Sequence, residues 1–229
     1  MTKVVLLTSS FPQLSETFIM NKFIGLVEEG WDVYVVCSTS KASEWKNFPH
    51  ASSLRNIRKR VHENWPVQPK WLVPLFFPLA LIKCLVANFG GTFGYLSRGW
   101  RLHRAAILKR FYLDAQFITL KPDLIHFEFG ATARGRSDLS RLLGCKEIVS
   151  FRGYDLNFSG LDQPDFYENV WKDADAFHFL GEDLRNRGLR RGCPADKPYA
   201  LIPPAIDINF FAPGQKSIPQ EVGVPTRPF

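Results

Sequence analysis

No C-x-x-C pair occurs in this sequence: its four cysteines, Cys37, Cys84, Cys145 and Cys193, lie 47, 61 and 48 residues apart. That spacing excludes a zinc ribbon or a thioredoxin-type centre, so no metal site is expected, and the thiols are read as reduced packing residues of a cytoplasmic protein. The glycine fingerprints G-x-G-x-x-G and G-x-x-x-x-G-K-[ST] are also missing, which argues against an ordinary dinucleotide enzyme or a P-loop NTPase. Behind Met1-Thr2-Lys3 there is no apolar h-region with a small-residue cleavage site, so no secretory signal is expected. The longest apolar stretch, Trp71 to Leu96, is interrupted by Pro74, Pro78, Lys83 and Gly90-Gly91. It falls short of the ~20 uninterrupted apolar residues of a spanning helix, and no transmembrane segment is expected.

Acidic residues are almost missing from one region. Between Lys46 and Leu113 there are twelve Lys or Arg against the single acid Glu63, a local charge of +11. The whole chain carries +7, so the remainder, 17 basic against 21 acidic residues, carries −4. The basicity therefore belongs to one surface. Anionic lipid headgroups, nucleic acid phosphates or a phosphorylated small molecule would each suit it, and so would a solvated face with no dedicated partner. Nucleic acid is the least suited, because no recognition motif accompanies the charge.

What the chain does have is enough apolar sequence for a sizeable core: 45% of its 229 residues are hydrophobic and 14% aromatic. Apolar runs of strand length alternate with helical periodicity, the signature of βαβ units in an α/β, Rossmann-like doubly wound parallel sheet. Strands are expected at 4–8, 33–37, 124–127, 147–151, 176–180 and 199–202. After the first strand, Ser15 can cap a helix in which Ile19, Phe23, Leu26 and Val27 share a face and which Gly30 closes. The basic and aromatic segment, about 46–118, breaks this rhythm with several prolines. It leads into helical sequence around Leu79 to Asn88 and then into a longer amphipathic helix whose face is Trp100, Ile107, Leu108, Phe111, Ala115 and Ile118. That helix suits packing on a sheet or lying on a membrane surface. Further helices are expected at 132–143, 165–172 and 183–191. Residues 203–229 hold six prolines and no periodic pattern, and are read as a linker after one domain, 1–202.

In an open parallel sheet, ligands bind beyond the carboxyl ends of the strands, so the loops there are the candidate site. The first, Ser9 to Phe18, offers Ser10, Ser15, Glu16 and Thr17 and a helix N-terminus that can meet an anion or serve only as a capped turn. The second, His126-Phe127-Glu128-Phe129-Gly130, places His126 and Glu128 on one side of a strand end with phenylalanines opposite, suited to contacting hydroxyls or moving protons. The third, Ser150 to Asp155, brings Arg152, a fork of donors suited to phosphate, with Gly153, Tyr154 and Asp155. Arg152 and Asp155 can alternatively pair with each other.

Four motifs in this order, S-F-P-Q-L-S-E-T-F-I at 10–19, H-F-E-F-G at 126–130, S-F-R-G-Y-D at 150–155 and I-P-P-A-I-D-I-N-F-F-A-P-G at 202–214, resemble the N-terminal half of the family 4 retaining glycosyltransferases of the GT-B fold. The first motif resembles the opening of the subgroup that builds bacterial exopolysaccharides, colanic acid among them, and is the most specific of the four. The last resembles the stretch that leads from the first domain into the second. The resemblance implies transfer of a sugar from a nucleotide-sugar donor to a glycan or lipid-linked acceptor, with retention, without a required metal and without any bound cofactor. It implies that this domain shapes the acceptor side and that a second domain, absent here or supplied as a separate C-terminal half, grips the donor. Two positions depart from the pattern. Arg152 stands where the family commonly has a histidine that contacts the donor sugar, and Pro204-Ala205 stand where it has Asn-Gly. Acceptors of such enzymes are often held at the inner leaflet, so a cytoplasmic chain peripheral to an anionic membrane is expected.

Overall fold

The structure, a computed structural model, describes residues 2–204. The stretch 205–229, with most of the fourth motif and of the expected linker, lies outside the described residues. The elements in chain order are β1 (Lys3–Phe11), α1 (Thr17–Glu28), β2 (Asp32–Ser40), α2 (Pro49–Ser53), β3 (Val61–Glu63), α3 (Leu72–His103), α4 (Ala106–Leu120), β4 (Leu124–Phe127), α5 (Gly130–Arg134), α6 (Leu139–Leu143), β5 (Lys146–Phe151), α7 (Gly153–Asn157), α8 (Glu168–Asp173), β6 (Ala176–Phe179), α9 (Glu182–Arg190) and β7 (Tyr199–Leu201).

All seven strands are parallel and form one sheet in the order β3-β2-β1-β4-β5-β6-β7. The chain starts at β1, winds outward to β3, then returns to β4 on the other side of β1 and winds to β7. Strands buried on both faces need apolar side chains at every position, which is why β1 reads as a continuous run. Val4 and Leu6 join one core with Ile19, Met20 and Phe23 of α1, while Val5 and Leu7 join the other with Ile107, Phe111 and Phe117 of α4. Burying Ile19, Met20, Phe23 and Ile24 ties α1 to the sheet by about 6–12 kcal/mol. Gly30, at φ +85°, turns the chain out of α1 in a conformation that other residues rarely adopt.

Right-handed crossovers put successive helices on one face when the strands march one way and on the opposite face when they march the other. Thus α1, α2 and the short turns beside them cover β1, β2 and β3 on one side. The larger core, with α3, α4, α8 and the neighbouring helices, lies on the other side, beneath β1 and β4 to β6. Over β4 to β7, the α1 side of the sheet keeps an open cavity of about 570 Å³.

The sequence expectations are corrected at several elements. The basic segment contains an edge strand, β3, as well as helices. Its expected first helix extends to 32 residues as α3, passing Pro74 in its first turn, where no intrahelical N–H is needed, and Pro78 further in. The longer amphipathic helix expected after it is divided: Trp100 falls in the last turns of α3 and is half exposed, while in α4 Ile107, Phe111, Ala115 and Ile118 are buried as expected and Leu108 is half exposed. The single helix expected over 132–143 is two short ones, α5 and α6. Ser15 caps nothing: a 3-10 turn, Leu14–Glu16, leads into α1, whose N-terminus has no side-chain cap.

Candidate functional site

The strand order reverses between β1 and β4, and the loops leaving these two strands diverge there. Phe11, buried between Phe23 and Trp45 in edge-on contacts of 5.6 and 6.1 Å, anchors the loop after β1. Glu16 then reaches back to accept a bond from Thr8 Oγ1 at 3.3 Å. On the next strand, Gly130 opens α5 so close to Phe151 that a Cβ would lie 2.4 Å from its ring. Glycine is what lets the His126 to Gly130 turn sit down on the core.

At the centre stands Glu128, whose side chain is fully buried. Its Oε1 accepts from Lys22 Nζ at 2.6 Å and its Oε2 from Arg152 Nη2 at 3.2 Å, while Arg152 Nε donates to the Glu128 carbonyl at 3.1 Å. The guanidinium of Arg152 lies 3.7 Å from the ring centroid of Phe18 and 5.5 Å from that of Phe129. Burial alone would raise the Glu128 carboxyl, but the Lys22 ammonium and the Arg152 guanidinium hold it below the usual range. Burial lowers the Lys22 ammonium, with Glu128 working against that shift. It raises Glu16, against the pull of Thr8 and of Arg152.

From Lys22 a line of hydrogen bonds crosses the strands. Lys22 Nζ lies 3.0 Å from His126 Nδ1, His126 Nε2 lies 2.8 Å from Ser150 Oγ, Ser150 Oγ lies 2.8 Å from His178 Nδ1, and His178 Nε2 lies 2.9 Å from the Ile202 carbonyl. With both rings neutral, one arrangement of protons satisfies every bond in the line. A carbonyl can only accept, so His178 carries its proton on Nε2, and its Nδ1 accepts from the Ser150 hydroxyl. Ser150 Oγ in turn accepts from His126 Nε2–H, leaving His126 Nδ1 to accept from the Lys22 ammonium. Burial and nearby cations, which push His126 down to about 3 and lower His178, favour this neutral state of both rings.

Lys22, His126, Arg152 and His178 all line the cavity, whose other walls are largely apolar: Phe18, Ile148, Ala176, Ala200 and Ile202 among them. Counting donors, the Lys22 ammonium has one N–H left after Glu128 and His126, and Arg152 has three left after its two bonds to Glu128. The cavity therefore presents unspent N–H donors to an oxygen-rich ligand. Among the described residues it presents no free base, because His126 and Glu128 are both occupied as acceptors.

The sequence expected ten site residues, and the structure brings four of them together: Glu16, His126, Glu128 and Arg152. Ser10 pairs in register with Thr39 at the end of β1, and Ser15 and Thr17 are exposed. Gly153 opens α7, and Tyr154 is exposed and stacks on Phe158 at 5.8 Å. Asp155 is no cleft residue, nor does its side chain pair with the Arg152 guanidinium: it is buried and accepts the backbone N–H of Arg152 and of Ala131, both at 3.0 Å, which fixes the start of α7. Phe129 is not opposite His126 but beside Phe18 on the α1 side, because β4 ends at Phe127 and strict alternation ends with it. Lys22 and His178 went unforeseen. Their signals are Lys22 one turn from Phe18 on α1, and His178 between two phenylalanines on β6, as His126 sits between Ile125 and Phe127 on β4.

The sheet order and the cleft at its reversal define a Rossmann-like doubly wound α/β domain. No family model matches the chain, and no curated protein sequence matches it. Among solved structures the chain is similar to Anabaena Alr3699/HepE in complex with UDP and glucose, at a TM-score of 0.49 and 13% identity, over 92% of this chain and 46% of that one. It is also similar to a UDP-N-acetylglucosamine 2-epimerase, at a TM-score of 0.44 and 14% identity, over 87% of this chain and 47% of that one. The chain thus spans about half the length of these solved chains. The fold assignment rests on the sheet itself.

Proposed function

We propose that the chain is the N-terminal, acceptor-side part of a retaining, nucleotide-sugar-dependent glycosyltransferase acting on a glycan or lipid-linked acceptor in polysaccharide synthesis. The observation that carries the reading is convergence. His126 and Glu128 from the second motif gather around Lys22 with Arg152 from the third, and Glu16 from the first, 136 residues before Arg152 in sequence, lies within electrostatic reach of Arg152 and Glu128, at the point where the strand order reverses. Their free N–H donors beside an apolar wall suit the hydroxyls and the carbon face of a sugar. With no free base among them, these residues hold and orient the acceptor. The donor and the group that completes the transfer are assigned to a second domain.

Calorimetry tests this division of roles. A panel of alkyl glycosides and oligosaccharides is expected to bind weakly, and UDP-glucose and GDP-mannose hardly at all; Lys22→Met removes the glycan binding. Tight nucleotide-sugar binding by this chain would overturn the assignment. A second reading, a non-catalytic module completed by a partner chain, is favoured by the open apolar face over β4 to β7. Co-purification of a separate nucleotide-binding chain would support it over the first.

A further inference from the structure

The outer face of α3 belongs to no part of the cleft. On this helix Leu75, Leu79, Ile82, Val86, Phe89 and Phe93 recur every three or four residues and are each 53–84% exposed. They continue the line of Trp71, itself 65% exposed, at the head of the helix. At 1.5 Å per residue, the line from Trp71 to Val86 runs for about 22 Å before the non-helical Asn88, and Phe89 and Phe93 add exposed apolar surface beyond it. An apolar patch of this extent exceeds what a soluble monomer commonly leaves bare.

The opposite face of α3 is fastened to the domain along its length. Lys83 Nζ donates to Gln116 at 3.3 Å, Asn88 Nδ2 to the Ile118 carbonyl at 2.9 Å, Tyr95 to Asp114 at 2.7 Å and Arg98 to the Leu142 carbonyl at 2.6 Å. By length and composition α3 is long and apolar enough to cross a membrane. Crossing would tear out these bonds and the buried Ala80, Cys84 and Tyr95, so the helix lies flat on the domain, with a non-helical turn at Asn88 bending it.

The charge around the stripe has one sign. From Asn64 to Leu113 there are seven Lys or Arg and no acid. Just beyond the stripe, exposed Arg101, Arg104 and Lys109, none of them in an ion pair among the described residues, alternate with half-exposed Trp100, Leu102 and Leu108. A second copy docking on the same face would set one acid-free basic surface against another. Anionic headgroups above acyl chains match both parts of the surface, and tryptophans at both ends suit the boundary between them.

We propose that the apolar face of α3 docks the domain onto an anionic membrane leaflet, seated in the headgroup and upper acyl layer with Arg101, Arg104 and Lys109 against the lipid phosphates. This goes beyond the transfer reading and stands whether or not the cleft binds a sugar. The test is flotation with phosphatidylglycerol-containing vesicles and with pure phosphatidylcholine vesicles. The parent chain is expected to float with the first and far less with the second. The double variant Val86→Glu/Phe93→Glu, altered only at exposed positions and checked by circular dichroism, is expected to lose flotation. Reversing Arg101, Arg104 and Lys109 to Glu is expected to weaken it at least about tenfold. Brominated lipids then report depth. Shallow bromines are expected to quench tryptophan fluorescence more than deep ones, and Trp71→Phe to remove much of that quenching. Three results would overturn the proposal: no binding to either vesicle, deeper bromines quenching more strongly, or a concentration-dependent dimer that Val86→Glu/Phe93→Glu dissolves in the absence of lipid binding.

Discussion

Replacing Glu128 by Gln keeps the shape of the side chain and removes its charge. Two cations then lose their partner in a place where the carboxylate is fully buried, while the Arg152 side chain is 13% and the Lys22 side chain 27% exposed. Deleting one partner of a buried ion pair costs about 3–5 kcal/mol. Water at Lys22 relieves part of that cost, but the Gln amide also turns an N–H₂ toward one of two N–H donors, so a loss of about 3 kcal/mol is expected. For a domain of this size, that lowers the melting temperature by about 6–12 °C. Thermal unfolding followed by circular dichroism gives the number. Lys22→Met in the Glu128→Gln background should then cost much less than Lys22→Met alone, since the ammonium has already lost its counter-charge. If Glu128→Gln unfolds within about 0.5 kcal/mol of the parent, or if the two substitutions simply add, Glu128 does not hold the cations together.

The hydrogen-bond line makes both cavity histidines neutral Nε2–H tautomers, which long-range ¹⁵N correlation spectra read directly; an imidazolium signal from either at pH 6 would contradict it. Native His126, pushed down to about 3, refuses a proton that the unfolded chain takes up near 6.5, so its contribution to stability is complete above about pH 6.5 and is lost as pH falls toward 3. His126→Gln should flatten the stability curve across that window, as urea denaturation at several pH values will show. Glu147 behaves oppositely: burial pushes its carboxyl up to about 8, so its contribution is full below about pH 4.5 and is lost as pH rises through 8. Glu147→Gln is therefore expected to raise the melting temperature at pH 8.5 more than at pH 5. Phe23→Ala, which empties the contact between α1 and β1, is expected to cost about 3–5 kcal/mol in chemical denaturation.

The alternation of strands and helices was legible in the sequence because parallel strands buried on both sides have no polar face to interrupt their pattern. β1 shows this most clearly. β3 escaped because three residues, Val61, His62 and Glu63, at the edge of the sheet and inside a basic segment carry no periodic signal. α3 was cut short on paper by prolines that the folded helix accommodates, one of them in its first turn. The same prolines hide the exposed stripe of α3 within an interrupted apolar run, although its three- and four-residue spacing up to Val86 marks one helical face. At the site, His126, Glu128 and Arg152 were visible as polar residues at strand ends. Lys22 was not, because a lysine on an amphipathic helix looks like any solvated residue until the sheet order places it beside β4, 104 residues further on. Asp155 misled for a related reason: a carboxylate after a strand end serves a helix start as readily as a ligand.

The central claim is that the cleft around Lys22 and Arg152 takes an acceptor sugar. The most direct measurement follows the His126 and His178 imidazole signals while alkyl glycosides, and separately UDP-glucose, are titrated into the chain. Saturable shifts of both imidazoles with a glycoside, lost in Lys22→Met and not reproduced by UDP-glucose, are the predicted result. Signals that stay still with every glycoside while UDP-glucose moves them would contradict the account.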